Sequence, residues 1–306
     1  MDKITTKLKE RFCKDYNLPI RLYKEPYFYD RIELFDKYFD TVKKWELYIR
    51  EIDSFNNEQD YLEYYNKTKD NFINNIKSKP EYETFINFDM NNYAVPNYGI
   101  GRKSVFKEDN IGKRLISIDL TKANYSAMKF FNSNLVDNTT NYNQLISRFT
   151  DLQHLKNSKY VRQVVFGNLN PKRQVAIEKY MMNFVMEVLL KYMDIKYIQT
   201  YMGDEIVFEY FEGLKLDLLY QDLGELQFDK GFELHREDYI LKKIPNSDIY
   251  VKHLNNGSID FKCVDNLLYP FVIRAYNNEE VKETDKVFFY EGYLSKLVEI
   301  PTIEVV

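Results

Sequence analysis

The chain has 306 residues, a net charge of −4 and 27 Tyr and 22 Phe, so it can bury a sizeable aromatic core and is not intrinsically disordered. Its two cysteines, Cys13 and Cys263, lie far apart in the sequence and form no C-x-x-C pair, so they suggest neither a disulfide framework nor a thiolate zinc site. The sequence contains no secretory leader and no run of about 18 apolar residues, so we expect a cytoplasmic protein without a membrane partner.

The first third of the chain is predicted to be helical. Apolar side chains recur every three to four residues across residues 30–53, which is typical of an amphipathic helix. Residues 54–90 are more polar but keep this spacing, and they predict one or two exposed helices. We therefore expect an N-terminal helical region over residues 1–97.

A basic loop is predicted at the boundary that follows. It combines an aromatic residue, two glycines and two cations, namely Tyr98, Gly99, Gly101, Arg102 and Lys103. An aromatic ring can stack on bases and cations can contact phosphates, so the loop suits a single-stranded template. The alternative is a hinge whose cations are merely solvated.

A buried strand is predicted over Leu115–Leu120, and Asp119 lies near its end. A carboxylate is costly to bury unless it binds a cation or accepts hydrogen bonds, which makes Asp119 a candidate ligand. The alternative is that Asp119 caps a helix predicted over Lys122–Phe131.

Cations cluster in the middle of the chain. Lys159 and Arg162 precede Phe166, and a helix with Pro171 at its first position is predicted to run to about Tyr192. Such cations can neutralise the charge of a triphosphate, although solvated surface charges would look the same.

A hairpin with acids at its tip is predicted next. The runs Ile195–Tyr201 and Ile206–Tyr210 are rich in β-branched and aromatic residues, and Asp204 and Glu205 stand between them. These acids are also ordinary turn residues, but together with Asp119 they could hold two hard cations such as Mg²⁺ or Mn²⁺. Three further strands are predicted, so we expect an α+β fold with a mostly antiparallel sheet, these strands being 232–244, 249–254 and 258–264.

Several stretches over residues 98–265 resemble the DNA polymerases, and they occur in the same order. Asp119–Ser126 resembles motif A of family B, D-x-x-S-L-Y-P-S, and keeps its acid and its final serine. Tyr98–Gly101 is similar to the Y-x-G-G loop of protein-primed members, and Arg162–Gly167 is similar to the fingers helix.

The later stretches mix two families. The hairpin Tyr201–Glu209 resembles motif C of family A, V-H-D-E-[LI]-V-F-E, with Gly203 in place of histidine. The segment ending at Lys262 resembles the D-G-x-I-x-x-K-G pattern of family B, with Cys263 at the glycine position.

The resemblance implies a polymerase palm with reduced fingers. Residues 98–212 would form the palm with inserted fingers-like helices, and residues 213–306 would complete the palm and add a thumb-like region. The implied activity is template-directed nucleotide transfer of the DNA polymerase type, without a proofreading domain, in a viral or mobile-element protein acting in the host cytoplasm. Alternatives are a primase or RNA polymerase with the same palm, a catalytically inactive palm-derived replication accessory protein, and an unrelated fold.

The resemblance also implies roles for individual residues. Asp119, Asp204 and Glu205 would be catalytic metal ligands. Nucleoside triphosphate would contact Lys159, Arg162, Phe166, Asn124 and Tyr125. Template and primer would contact Tyr98, Gly99, Gly101, Arg102, Lys103 and Lys262. The expected partners are therefore nucleic acid template and primer, nucleoside triphosphates and replication proteins.

Overall fold

The N-terminal region of the computed structural model, which describes residues 4–100 and 104–306, consists of helices. They are α1 (Thr6–Asp15), α2 (Tyr27–Phe39), α3 (Thr41–Ile52), α4 (Glu58–Lys77) and α5 (Pro80–Asn87). The single helix predicted over residues 30–53 is wrong, because Asp40 adopts a left-handed conformation with φ 55° and separates α2 from α3. The apolar spacing continues across this break and does not reveal it.

The rest of the chain builds one large sheet and its helices, which confirms the predicted α+β class. Its strands are β1 (Arg114–Leu120), β2 (Ile198–Tyr201), β3 (Glu205–Glu209), β4 (Leu234–Lys243), β5 (Tyr250–Leu254) and β6 (Ile259–Lys262). They lie in the order β2-β3-β1-β4-β5-β6, and every neighbouring pair is antiparallel.

Helices connect the strands of this sheet. Between β1 and β2 lie α6 (Ala123–Phe131), α7 (Tyr142–Ile146), α8 (Gln153–Asn157), α9 (Lys159–Gly167) and α10 (Pro171–Leu189). Helix α11 (Leu216–Lys230) joins β3 to β4. After β6 come α12 (Tyr269–Asn277) and a separate hairpin of β7 (Val287–Tyr290) and β8 (Tyr293–Lys296). Strands β1 to β4 with their helices thus form two split β-α-β units, and β1 is central.

The two faces of the sheet are built differently. On one face, alternate residues such as Ile116, Ile118 and Phe208 join the main core, which also contains buried side chains of α1 to α6 and α10. On the other face, Leu115 and Tyr239 belong to a smaller apolar cluster at the start of β1. At the end of β1, this second face carries Asp119 and the directly opposite Glu205.

A buried ion cluster ties the end of the chain to the N-terminal helices. Asp285 accepts from Arg31 Nη1 of α2 at 2.8 Å and from Arg274 Nε of α12 at 3.0 Å. Arg31 also donates to the carbonyl oxygens of Thr284 and Asp285. We refer to Arg31, Arg274 and Asp285 as the Asp285 clasp. No helix within the described residues is long and apolar enough to cross a bilayer.

Candidate active site

The strand register places the predicted carboxylates together at the end of β1. Asp119 lies directly opposite Glu205 of β3 on one side and His235 of β4 on the other. Directly opposed residues of antiparallel strands share a face of the sheet, so these three side chains emerge on the same side. Asp204 occupies the adjoining turn, where its carbonyl oxygen accepts from the Leu120 amide at 2.9 Å.

A fourth carboxylate, which the sequence analysis missed, reaches this group from the helical side. Glu178 lies on α10, one turn beyond Val175, and a Cβ added at Gly203 of the hairpin turn would lie 3.6 Å from the Val175 side chain. Its side chain is buried, with 4% of the residue exposed. Met181, one turn after Glu178 on α10, is fully buried, so an acid in this apolar stretch of the helix was a usable signal.

The acids disturb each other's protonation. The pKa of Asp119 is raised to about 6, chiefly by burial and then by the negative charges of Asp204 and Glu205, while His235 opposes this rise. Burial likewise raises the pKa of Glu178 to about 7, with Asp204 and Asp119 contributing. Both raised pKa values indicate that the carboxylates are partly desolvated and that nearby positive charge does not offset their mutual repulsion.

The negative charge of these carboxylates is offset by hydrogen bonds and not by ion pairs. Ser117 Oγ donates to Glu205 Oε1 at 2.5 Å, and Asn124 Nδ2 lies 3.4 Å from Glu178 Oε1. Among the described residues, no Lys or Arg forms an ion pair with any of the four carboxylates.

These residues offer the ligand chemistry of a hard divalent cation but not a finished metal site. Carboxylate oxygens are the ligands that Mg²⁺ prefers. However, within the part of the chain that the structure describes, no three His, Cys, Asp or Glu side chains are already grouped to hold an ion. Glu205 is held by Ser117, so the carboxylates would have to turn towards each other to share a metal.

Two of the predicted triphosphate ligands, Lys159 and Arg162, lie on α9, and Arg162 is near enough to Asp119 for their charges to interact. Burial lowers the pKa of Arg162, while the charge of Asp119 and the Tyr142 hydroxyl oppose that shift. The guanidinium carbon of Arg162 lies 5.7 Å from the centre of the Tyr142 ring. Lys159, at the first position of α9, is exposed.

Two predicted nucleotide contacts are largely buried in this structure. Phe166 is fully buried and packs against Phe72 and Tyr142, so it has no surface to offer a nucleotide. Tyr125 is 4% exposed, and its hydroxyl donates to the Thr139 carbonyl oxygen at 2.8 Å. Aromatic residues supply core area as readily as ligand contacts, which explains these two differences.

The predicted template loop is described in part. Tyr98 donates to Asn183 Oδ1 at 2.7 Å, and its ring meets Tyr201 edge to face. Gly99 has φ 69°, a left-handed conformation that favours glycine. Gly101, Arg102 and Lys103 lie outside the described residues.

Lys262 is remote from the acids. It lies on β6, where it pairs with Asp260 at 2.6 Å. Because β6 is three strands from β1, the two strands are roughly 14 Å apart. A contact between Lys262 and nucleic acid would therefore be well away from the end of β1.

Comparisons with protein-family models, with curated proteins and with solved structures give no match for this chain. The assignment of a function consequently depends on the chemistry of the site.

Proposed function

We propose that this protein is a metal-dependent, template-directed nucleotidyltransferase with a polymerase-like palm. The observation that carries the proposal is the meeting of Asp119, Asp204 and Glu205 at the end of a central antiparallel strand, without a Lys or Arg partner among the described residues. A strand ending in an acid beside a hairpin tipped by two acids is how palm domains assemble their carboxylates. Nucleic acid and nucleoside triphosphates are the corresponding partners.

The residues around the acids support phosphoryl transfer in particular. Asp119, Asp204 and Glu205 would hold Mg²⁺ or Mn²⁺, which supplies Lewis-acid activation of a hydroxyl and neutralises phosphate charge. Arg162 and Lys159 would meet the triphosphate from α9, and Asn124 would stand near the sugar. Glu178 would tune the charge of the site from behind the hairpin.

The proposal is tested by extension of a primed template with purified protein and Mg²⁺. We expect Asp204→Asn to reduce extension below detection, because it removes a metal-binding charge. The variant should fold as stably as the wild type or better, since removing one of several neighbouring negative charges relieves repulsion. Glu212→Gln is the matched control, because Glu212 is an exposed acid just beyond β3.

The outcome that contradicts the proposal is unchanged extension by Asp204→Asn, which would make the hairpin tip an ordinary turn. Running the assay with deoxyribonucleotides and ribonucleotides in parallel separates a DNA polymerase from a primase or RNA polymerase.

A second candidate is a palm-derived, catalytically inactive protein that binds nucleic acid during replication. It is favoured by the absence, among the described residues, of three metal-binding side chains already grouped together. Template binding by the wild type without incorporation of any nucleotide would select this candidate.

A further inference from the structure

A cleft opens between α6 and α11, just beyond the end of β1. Its walls come from three segments, residues 121–129, 140–142 and 227–233. Its volume is about 710 Å³, which lies within the range of small-molecule and cofactor sites. Thr121, at its edge, is only two residues beyond Asp119.

Two buried polar atoms lack hydrogen-bond partners within the described structure, one on a residue that lines this cleft and one on a residue beside it. The first is the hydroxyl of Tyr142, a cleft-lining residue that is only 2% exposed. The second is Nε of Arg162, whose guanidinium group lies over the Tyr142 ring. Buried polar groups are nearly always hydrogen-bonded in folded proteins, so two unpartnered donors together indicate a missing acceptor.

Positive charge is found both in the cleft and next to it. Lys122 lines the cleft, and burial lowers its pKa, with the positive charges of Arg162 and Lys159 contributing. Among the described residues, none of these three cations forms an ion pair with an acid. The only acidic residue lining the cleft within that part of the chain is Glu233, which is exposed. Cations that repel each other in a partly buried site favour a multiply charged anion.

An exposed aromatic ring stands on the opposite wall. Phe228 of α11 is 92% exposed, which is unusual for such a large apolar side chain. An exposed ring beside an anion site is suited to stacking on a nucleobase.

We propose that Lys122, Tyr142 and Arg162 bind the phosphate groups of a nucleoside triphosphate in this cleft, and that Phe228 contacts its base. The choice of a nucleotide as the ligand rests on the proposed function. The binding of a polyphosphate is inferred from the cleft alone. The assignment adds Lys122, Tyr142 and Phe228 to the residues that the sequence analysis singled out.

The phosphate part is tested with inorganic tripolyphosphate, titrated calorimetrically into metal-free protein. We expect Lys122→Ala and Arg162→Ala each to weaken binding at least tenfold. Tyr142→Phe keeps the core ring and should weaken binding about fivefold, the loss of one hydrogen bond. Lys67→Ala removes an exposed charge on α4 and should bind like the wild type. Wild-type affinity in both cation variants, or no binding by the wild type, would overturn the proposal.

The base part is tested by comparing a nucleoside triphosphate with tripolyphosphate. Phe228→Ala should weaken nucleotide binding about tenfold and leave tripolyphosphate binding unchanged. Equal losses for both ligands, or no loss for either, would overturn the assignment of Phe228.

Asp204→Asn separates this inference from the proposed function. We expect it to lose extension but keep wild-type affinity for tripolyphosphate. Tripolyphosphate binding by a wild type that extends no primer would refute the proposed function alone. Extension by a Lys122→Ala protein with unchanged nucleotide KM and unchanged tripolyphosphate affinity would refute the inference alone.

Discussion

The Asp285 clasp and the acids at the end of β1 are both groups of buried or partly buried charged side chains, but only the clasp pairs its negative charge with positive charges. In the clasp, one carboxylate meets two guanidinium groups, and Asp285 is only 3% exposed. At the end of β1, four carboxylates lie together without Lys or Arg partners in the described structure, and the pKa values of Asp119 and Glu178 rise. The clasp is complete within the chain, whereas the acids lack positive charge that a ligand could supply. This difference separates a structural cluster from a candidate functional one.

The largest effect on stability is expected from breaking the Asp285 clasp. Asp285→Ala leaves Arg31 and Arg274 buried without their shared carboxylate, and breaking a buried pair in this way costs about 3–5 kcal/mol of unfolding free energy. Urea unfolding measures the loss. Glu279→Ala is the control, because Glu279 pairs with Arg274 from the surface and should cost less than about 1 kcal/mol. Similar losses in both variants would contradict the structural role of the clasp.

The unpaired carboxylates at the end of β1 should make the stability of the protein depend on pH. Raised carboxyl pKa values mean that the folded protein binds more protons than the unfolded chain between about pH 4 and pH 7, so folding is weakened as the pH rises through that window. We expect Asp119 and Glu178 together to remove about 2 kcal/mol, after allowance for the partial exposure of Asp119.

The measurement is urea unfolding at pH 5 and pH 8 with a chelator, repeated at pH 8 with Mg²⁺. The double variant Asp119→Asn with Glu178→Gln should lose most of this pH dependence, and Mg²⁺ should restore stability only in the wild type. Equal pH profiles for the two proteins would show that the acids are adequately solvated.

Glu178 alone should have a smaller effect. Glu178→Gln removes one buried negative charge and should raise the unfolding free energy by about 1 kcal/mol at pH 8. At pH 5, where Glu178 is protonated in the folded protein, we expect a clearly smaller gain, so the same variant provides its own control. A loss of stability at both pH values would show that the contact with Asn124 matters more than the charge.

The smallest effect is expected at Ser117, the hydrogen-bond donor to Glu205. Ser117→Ala should reduce the unfolding free energy of the metal-free protein by about 1 kcal/mol, the net contribution of one such bond. Because the variant frees Glu205 to turn towards Asp119, the stabilisation by Mg²⁺ should be at least as large as in the wild type. A weaker metal response in thermal unfolding would mean that Ser117 positions Glu205 for the metal.

The sequence predicts the strands of the sheet, because strands depend on local patterns, whereas the meeting of the acids is a long-range contact that was expected from the resemblance to palm domains. Apolar strands bounded by turn residues identify β1, β3 and β4, and their order brings Asp119 to Asp204 and Glu205. Helix α11 has no counterpart among the predicted elements, since only Leu219 and Leu223 along its 15 residues are buried.

Other features depend on long-range packing that local patterns do not contain. Whether an aromatic residue such as Phe166 faces a ligand or the core is decided by partners far away, here Phe72 of α4. Likewise, the sequence does not show that Glu178 lies near the other acids, because this depends on how α10 packs against the hairpin turn.

The Asp285 clasp also bears on how the chain is made. Arg31 finds its ionic partner 254 residues later in the sequence. During synthesis, which proceeds at about 5–20 residues per second, Arg31 therefore waits for at least about ten seconds before this contact can form. Until residue 285 has left the ribosome, α2 lacks this ion pair, so this early helix cannot be among the first to reach its final state.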